Sequence, residues 1–182
     1  MKGLNKAIFA NKNLLEKHKL NGLISKRPCV FINHKTDDSD YARSIADYLI
    51  TAEIDVYFDK HIESSKKINH KNIIDSIHRG INESTHMLCV ISPNSVHSNW
   101  AHFVMGYSYN KIDIGVTILK GINESEIPEY ISNVKIIKGI QSINQYISQL
   151  SNKLERTLES NGLIKPFTIN KHPLENILEK YK

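Results

Sequence analysis

Three polar segments of the chain carry the side chains able to do chemistry. The first runs from Asn33 and His34 to Asp37, Asp38 and Asp40. The second starts at Asp59 and runs to residue 70. The third runs from Ser92 through Ser95, His97 and Ser98 to Trp100. Histidine changes charge near neutral pH and can move a proton. A carboxylate can act as a base or stabilise a developing positive charge. Tryptophan offers a face on which a flat ring can stack. Each also has a plainer use. The acids suit a helix N-cap or a solvated loop, and Trp100 suits the apolar face of a helix. His102 falls on the side of its helix away from Trp100 and Val104, which suits the surface.

Several other chemistries are excluded by what is missing. No GxGxxG follows the first apolar run, and there is no P-loop and no GxSxG elbow. No CxxC or Cys/His cluster has metal-ligand spacing, so no metal is expected. Ser92-Pro93 stands where a phospho-accepting acid would end the third strand of a response regulator.

The elements that position these segments follow from periodicity. Residues 29–33, 54–58, 85–92, 112–119 and 134–137 are short apolar runs, as expected of strands buried on both faces. Between them lie helical patterns. Tyr41, Ile45, Tyr48 and Leu49 form one, and Ile73, Ile74, Ile77 and Ile81 another. Trp100, Phe103, Val104 and Tyr107 recur at i, i+3, i+4 and i+7. Ile143, Ile147, Leu150, Leu154 and Leu158 predict one long final helix. Strand and helix alternate about five times, which predicts a flavodoxin-like α/β fold with right-handed crossovers. Its five-stranded parallel sheet is expected in the order 2-1-3-4-5, flanked by helices. Ligands on such sheets bind beyond the carboxyl ends of the strands, where the three polar segments fall.

Around this core, residues 1–26 read as a helical arm with Leu4 and Ile8 on a loose apolar stripe. The domain proper is expected over residues 27–160. Residues 161–182 form a tail with a short helix near 174–178. The chain of 182 residues is 40% hydrophobic and 24% charged, which suits one folded domain. Cys29 and Cys89 lie inside apolar runs and read as buried free thiols, consistent with a reducing compartment. The start of the chain shows no signal-peptide pattern, and no stretch reaches the ~20 apolar residues of a membrane span. A cytoplasmic protein is expected. The net charge is +5, but the lysines are scattered without interleaved aromatics, which does not suit a nucleic-acid groove.

The rim segments resemble a bacterial TIR (Toll/interleukin-1 receptor) domain. Val30-Phe31-Ile32-Asn33-His34, with the acids that follow, is similar to the opening strand of that family. Val56-Tyr57-Phe58-Asp59 is similar to the strand leading into its BB loop. Val90-Ile91-Ser92-Pro93-Asn94-Ser95 through Ser98-Asn99-Trp100 is similar to its third strand, serine-rich turn and following helix. Gly106-Tyr107 and the segment around Pro128 fit as well. The likeness covers about residues 28–155.

This resemblance implies the expected fold and an action on NAD. Many bacterial members cleave the nicotinamide–ribose bond. Some make an ADP-ribose-type signal in anti-phage defence, Thoeris-type systems among them. Others are assembly modules without chemistry. NAD would be substrate or ligand, with no separate cofactor. The resemblance further implies that Asn33, His34, Phe58, Asp59, Ser98 and Trp100 line the nucleotide pocket. Loop 59–70 would mediate assembly with other TIR domains. The cleaving members carry a glutamate four residues after the tryptophan, where its charge stabilises the oxocarbenium-like ribose. Here that position is Val104, and the helix from Trp100 to Lys111 contains no acid. Three readings follow: an NAD-acting enzyme with an unusual site, a nucleotide-sensing pseudoenzyme, and an assembly adaptor.

Overall fold

The computed structural model describes residues 2–9, 27–59 and 70–180. Its centre is a parallel sheet of five strands: β1 (Cys29–Asn33), β2 (Asp55–Tyr57), β3 (His86–Ile91), β4 (Asp113–Ile118) and β5 (Lys135–Lys138). The order is β2-β1-β3-β4-β5, as the alternation of elements predicts. Val30 pairs with Val56, Phe31 with Met87, Cys89 with Val116 and Gly115 with Lys135. The order in which strands are added reverses between β1 and β3, so a crevice opens beyond their carboxyl ends.

Period-two alternation sends successive strand residues into two apolar layers. Val30, Ile32, Val56, Leu88 and Val90 pack with α1 (Ser39–Thr51) and α4 (Gly139–Ser151). Phe31, Tyr57, Met87, Cys89 and Ile91 face α2 (His70–Asn82) and α3 (Asn99–Ser108). Ala42, Ile45, Ala46 and Leu49 mark the buried stripe of α1, at the three- and four-residue spacing of one helix face.

Three expectations are corrected outside this frame. The final helix is two helices. Asn152 adopts φ 53° and ψ 37°, ending α4, and α5 (Glu155–Ser160) begins afresh. Leu154 is 59% exposed, so the apolar pattern runs through a residue that is not part of the core. The short helix expected near 174–178 is instead a set of hydrogen-bonded turns, with the Leu178 and Ile177 N–H groups on the Leu174 carbonyl. The tail is nonetheless part of the core: Ile164, Leu174 and Leu178 are buried against α1 and α4. Its carbonyls at Ile177 and Glu179 accept from the Lys120 and Ile140 N–H groups at 3.0 and 2.8 Å.

At the start of the chain, residues 2–5 run extended beside β2 rather than as a helix, and residues 6–9 form a 3-10 turn. The Val56 N–H donates to the Leu4 carbonyl at 2.9 Å. The Asn5 amide bonds both the N–H and the carbonyl of Phe58. Gly3 is needed there, since a Cβ would meet the Ile54 carbonyl oxygen at 2.0 Å. Leu4 and Ile8 are exposed, so the stripe read from their spacing does not form. The segment covers an edge that would otherwise present unpaired backbone groups. The rest of the expected arm, residues 10–26, lies outside the described residues, as do residues 60–69 of the second polar segment.

Candidate nucleotide-binding site

Beyond the carboxyl ends of β1 and β3 the backbone makes two tight turns, and each buries a polar side chain. After β1, a 3-10 turn over Thr36–Asp38 brings Asp38 inward, with its N–H on the Lys35 carbonyl at 2.9 Å. After β3, the Val96 N–H returns to the Ser92 carbonyl at 2.9 Å, and Pro93 sits at the bend. The two turns meet. The Ser92 hydroxyl donates to Asp38 Oδ2 at 2.7 Å and accepts from the Asn94 N–H at 3.1 Å. Ser95 Oγ accepts the Ser92 N–H at 2.8 Å. Asp38 has no solvent exposure, and its Oδ1 has no hydrogen-bond partner among the described residues.

Beside this knot lies a small cavity bordered by Asn33, His34, Cys89, Ser95, Ser98 and Ala101. Asn33 ends β1 and donates through Nδ2 to Cys89 Sγ at 3.3 Å. Burial pushes the Cys89 thiol up to about 12, so it is a wall group and not a nucleophile. His34 Nδ1 lies 3.3 Å from the Ile32 carbonyl. A carbonyl only accepts, so Nδ1 carries the proton of that contact. The His34 ring stacks on Phe58 with centroids 5.2 Å apart, and the Arg43 guanidinium lies 5.8 Å from the Phe58 centroid. Lys35 pairs with Asp37 at 3.1 Å and reaches the Asn94 carbonyl at 3.3 Å, tying the two rim turns together.

Of the residues expected at the site, Asn33, His34 and Ser98 border the same cavity and Phe58 stacks against it. Asp59 follows directly, half-buried. The Trp100 side chain lies outside the described residues. Val104 does not border the cavity. It is 0% exposed and packs in the apolar layer with Met87, Cys89 and Met105. Its carbonyl accepts the Ser108 hydroxyl at 2.7 Å. Among the described side chains of α3, Ala101, one turn earlier, borders the cavity.

The cavity measures about 10 Å³, room for about one water. A nucleotide needs roughly 300 Å³ or more, far beyond this volume. Sequence reasoning placed Asp38 on the rim as a helix cap. Its burial against Ser92 carries no one-dimensional signal beyond the two serines following β3.

A family model of the TIR domain matches residues 30–156. No curated protein matches the chain. Among solved structures, the chain is similar to a metazoan TIR-STING receptor from C. gigas in complex with 2',3'-cGAMP, at 21% identity and TM-score 0.52. It is also similar to a second structure of a metazoan TIR-STING receptor from C. gigas, at 20% identity and TM-score 0.50. In both comparisons 69% of this chain is covered and only 40% of the receptor chain. At that identity the likeness is one of fold.

Proposed function

The chain belongs to the TIR domain family, and from that premise we propose that it takes NAD or a closely related nucleotide at the carboxyl ends of β1 and β3. It does so without the carboxylate that cleaving members place on the helix after the third strand. Nucleotide binding coupled to assembly with other TIR domains, through loop 59–70, is the activity that fits best, in a signalling role. The observation that carries this reading is Val104, wholly buried in the apolar layer. Valine has no charge with which to stabilise a ribosyl cation.

Turnover with release of nicotinamide and an ADP-ribose-type product, as in anti-phage defence by bacterial TIR proteins, is the second reading. One observation favours it. Asp38 is a buried acid beside the cavity with one oxygen unpartnered among the described residues. When the rim turns part, that oxygen is the nearest candidate to stabilise positive charge on the ribose.

The two readings separate on incubation with NAD at high protein concentration, with nicotinamide followed by chromatography. The expected result is slow or no release from the unmodified chain, about 10²–10³-fold below a site that keeps its electrostatic group. Val104→Glu is expected to raise release if the rest of the pocket is intact. Brisk release that is lost in Asp38→Asn establishes the second reading and removes the first. No gain from a folded, NAD-binding Val104→Glu variant leaves assembly without chemistry as the function.

A further inference from the structure

Two adjoining grooves, of about 510 and 380 Å³, open at the opposite end of the sheet, where β3, β4 and β5 begin. They share Asp113, Ile114 and Lys135, so one molecule can span both. Gly115 of β4 lies in the lining of the smaller groove, where a Cβ would crowd Ile137 Cδ1 at 3.0 Å. Into this groove the α4 side contributes Tyr146 and Gln149, and the strand ends contribute His86, Asp113 and Lys135.

The polar groups here are under-used. Tyr146 is 4% exposed, yet its hydroxyl has no hydrogen-bond partner among the described residues. A buried hydroxyl without an acceptor destabilises the fold that keeps it. Burial also pushes the phenol's pKa up, so it stays a donor. Lys135 Nζ bonds Gln149 Oε1 and lies 5.4 Å from the Tyr146 ring centroid. His86 turns Nδ1 to Thr85 Oγ1 at 2.7 Å and Nε2 toward Asp113 at 3.6 Å. The Asp113 side chain is 88% exposed, so its charge stands in water at the mouth, where Lys135 is exposed as well, while Tyr146 stands inside. Lys111 lines the larger groove beside Tyr109.

We propose that these grooves bind a phosphate monoester of nucleotide size. Its phosphate is held by the Tyr146 hydroxyl and the Lys135 ammonium, and its body lies in the larger groove against Tyr109. The Tyr146 hydroxyl is closed to solvent while Lys135 is bonded to Gln149, so in this proposal the Lys135 side chain leaves Gln149 and uncovers the hydroxyl to admit the phosphate. This site is separate from the carboxyl-end cavity and does not depend on the function proposed there.

The test is an amide NMR titration with AMP, with inorganic phosphate and with sodium chloride, in the full chain. AMP is expected to give saturable shifts at Gly115 and Gln149. Inorganic phosphate should give the same shifts with weaker binding. Tyr146→Phe and Lys135→Met should each weaken AMP at least about tenfold, the worth of one hydrogen bond to a charged group. Shifts at Asn33 and Ser98 report the other end of the sheet and are scored separately. Four outcomes overturn the proposal. They are no saturable shift at Gly115, AMP binding undiminished in Tyr146→Phe, chloride reproducing the shifts, and phosphate binding as tightly as AMP. Shifts at these residues that track protein concentration alone assign the grooves to a second copy of the chain and overturn it too.

Discussion

The two ends of the sheet solve the same problem in opposite ways. At the carboxyl end, the turns after β1 and β3 bury Asp38, Ser92 and Ser95 and let them bond one another, leaving a cavity of about 10 Å³. At the amino end, the strand ends and α4 leave grooves of hundreds of ångströms cubed and a buried Tyr146 hydroxyl without an acceptor among the described residues. One end is shut, with Asp38 Oδ1 unpartnered inside it among the described residues; the other is open, with the Tyr146 hydroxyl unpartnered beside it. The site proposed for the nucleotide is the shut one, and on that proposal its ligand works against an existing network. Open volume alone would have directed attention to the wrong end for the family's chemistry.

Deleting one hydroxyl at each end breaks or sharpens this contrast. Ser92→Ala removes the partner of Asp38 Oδ2 and leaves both oxygens of a fully buried acid unpaired. A loss of about 3 kcal/mol is expected in urea unfolding, typical of breaking one partner of a buried charged contact. Tyr146→Phe removes a hydroxyl that bonds nothing among the described residues. Stability should stay level or rise by about 1 kcal/mol. Equal losses in the two variants would mean that Tyr146 is satisfied in solution and that the two ends do not differ as described.

The next effect is smaller and depends on pH. The tail closes over the carboxyl side of β4 through the Lys120 N–H on the Ile177 carbonyl. It is anchored by His172, which is buried. His172 Nδ1 accepts the Leu174 N–H at 3.1 Å, and Nε2 lies 3.2 Å from the Tyr48 hydroxyl. That hydroxyl donates to Asn144 Oδ1 at 2.8 Å and accepts the Lys165 N–H at 2.9 Å. A neutral ring with its proton on Nε2 satisfies every contact, and a second proton on Nδ1 would face the Leu174 N–H. Glu175 approaches the same ring and partly opposes the shift, but burial dominates and holds the His172 pKa below its ordinary 6.5. The unfolded chain therefore binds the proton more readily. The neutral ring's contribution is full above about pH 6.5 and declines as pH falls below it, by at most about 1.4 kcal/mol per unit. His86, at the amino end, is also held low by burial and adds the same sign. His172→Gln should therefore flatten part of the acid slope and leave the His86 part. Amide exchange at Lys120 and Ile140 should quicken in acid before exchange at the amino ends of the strands does. An acid slope unchanged by His172→Gln would remove the tail from the closure of that end.

The sheet was legible because its strands are apolar on both faces, so residues 29–33 and 85–92 could be little else. Their pairing order followed from alternation with helices. The knot at the carboxyl end was not legible. An aspartate that caps a helix in water and one folded inward onto Ser92 look identical in one dimension. Asn33 and His34 could be placed on the rim because they stand at the end of β1, and Ser98 because it directly precedes α3. Val104 was correctly counted from Trp100, but its burial is a property of how α3 lies on the sheet. The extended start at residues 2–5 was hidden by Leu4 and Ile8, whose helical spacing is accidental.

The smallest predicted effect concerns the residue that ends α4 beside the open grooves. Asn152 sits in the left-handed region at φ 53°. Its N–H and that of Lys153 both return to the last turn, the Lys153 N–H to the Ser148 carbonyl at 3.1 Å. This is the chain reversal that commonly closes a helix, and it favours glycine or asparagine because other side chains crowd the following carbonyl. Gln149 and Leu150, which border the smaller groove, lie within the turn that this residue closes. The sequence pattern predicts instead that Leu150, Leu154 and Leu158 continue one helix. The two descriptions make opposite predictions for Asn152→Ala. If the break is real, alanine is forced into the left-handed region and stability falls by about 1 kcal/mol, while Asn152→Gly is neutral or gains up to about 0.5 kcal/mol. If the helix is continuous in solution, alanine is the better helix former and should stabilise the chain by a few tenths of a kcal/mol. Thermal unfolding of the two variants side by side decides it, because the difference between them has opposite sign in the two cases. A more stable alanine variant would carry α4 through Asn152 and recast the floor of the smaller groove at Gln149 and Leu150.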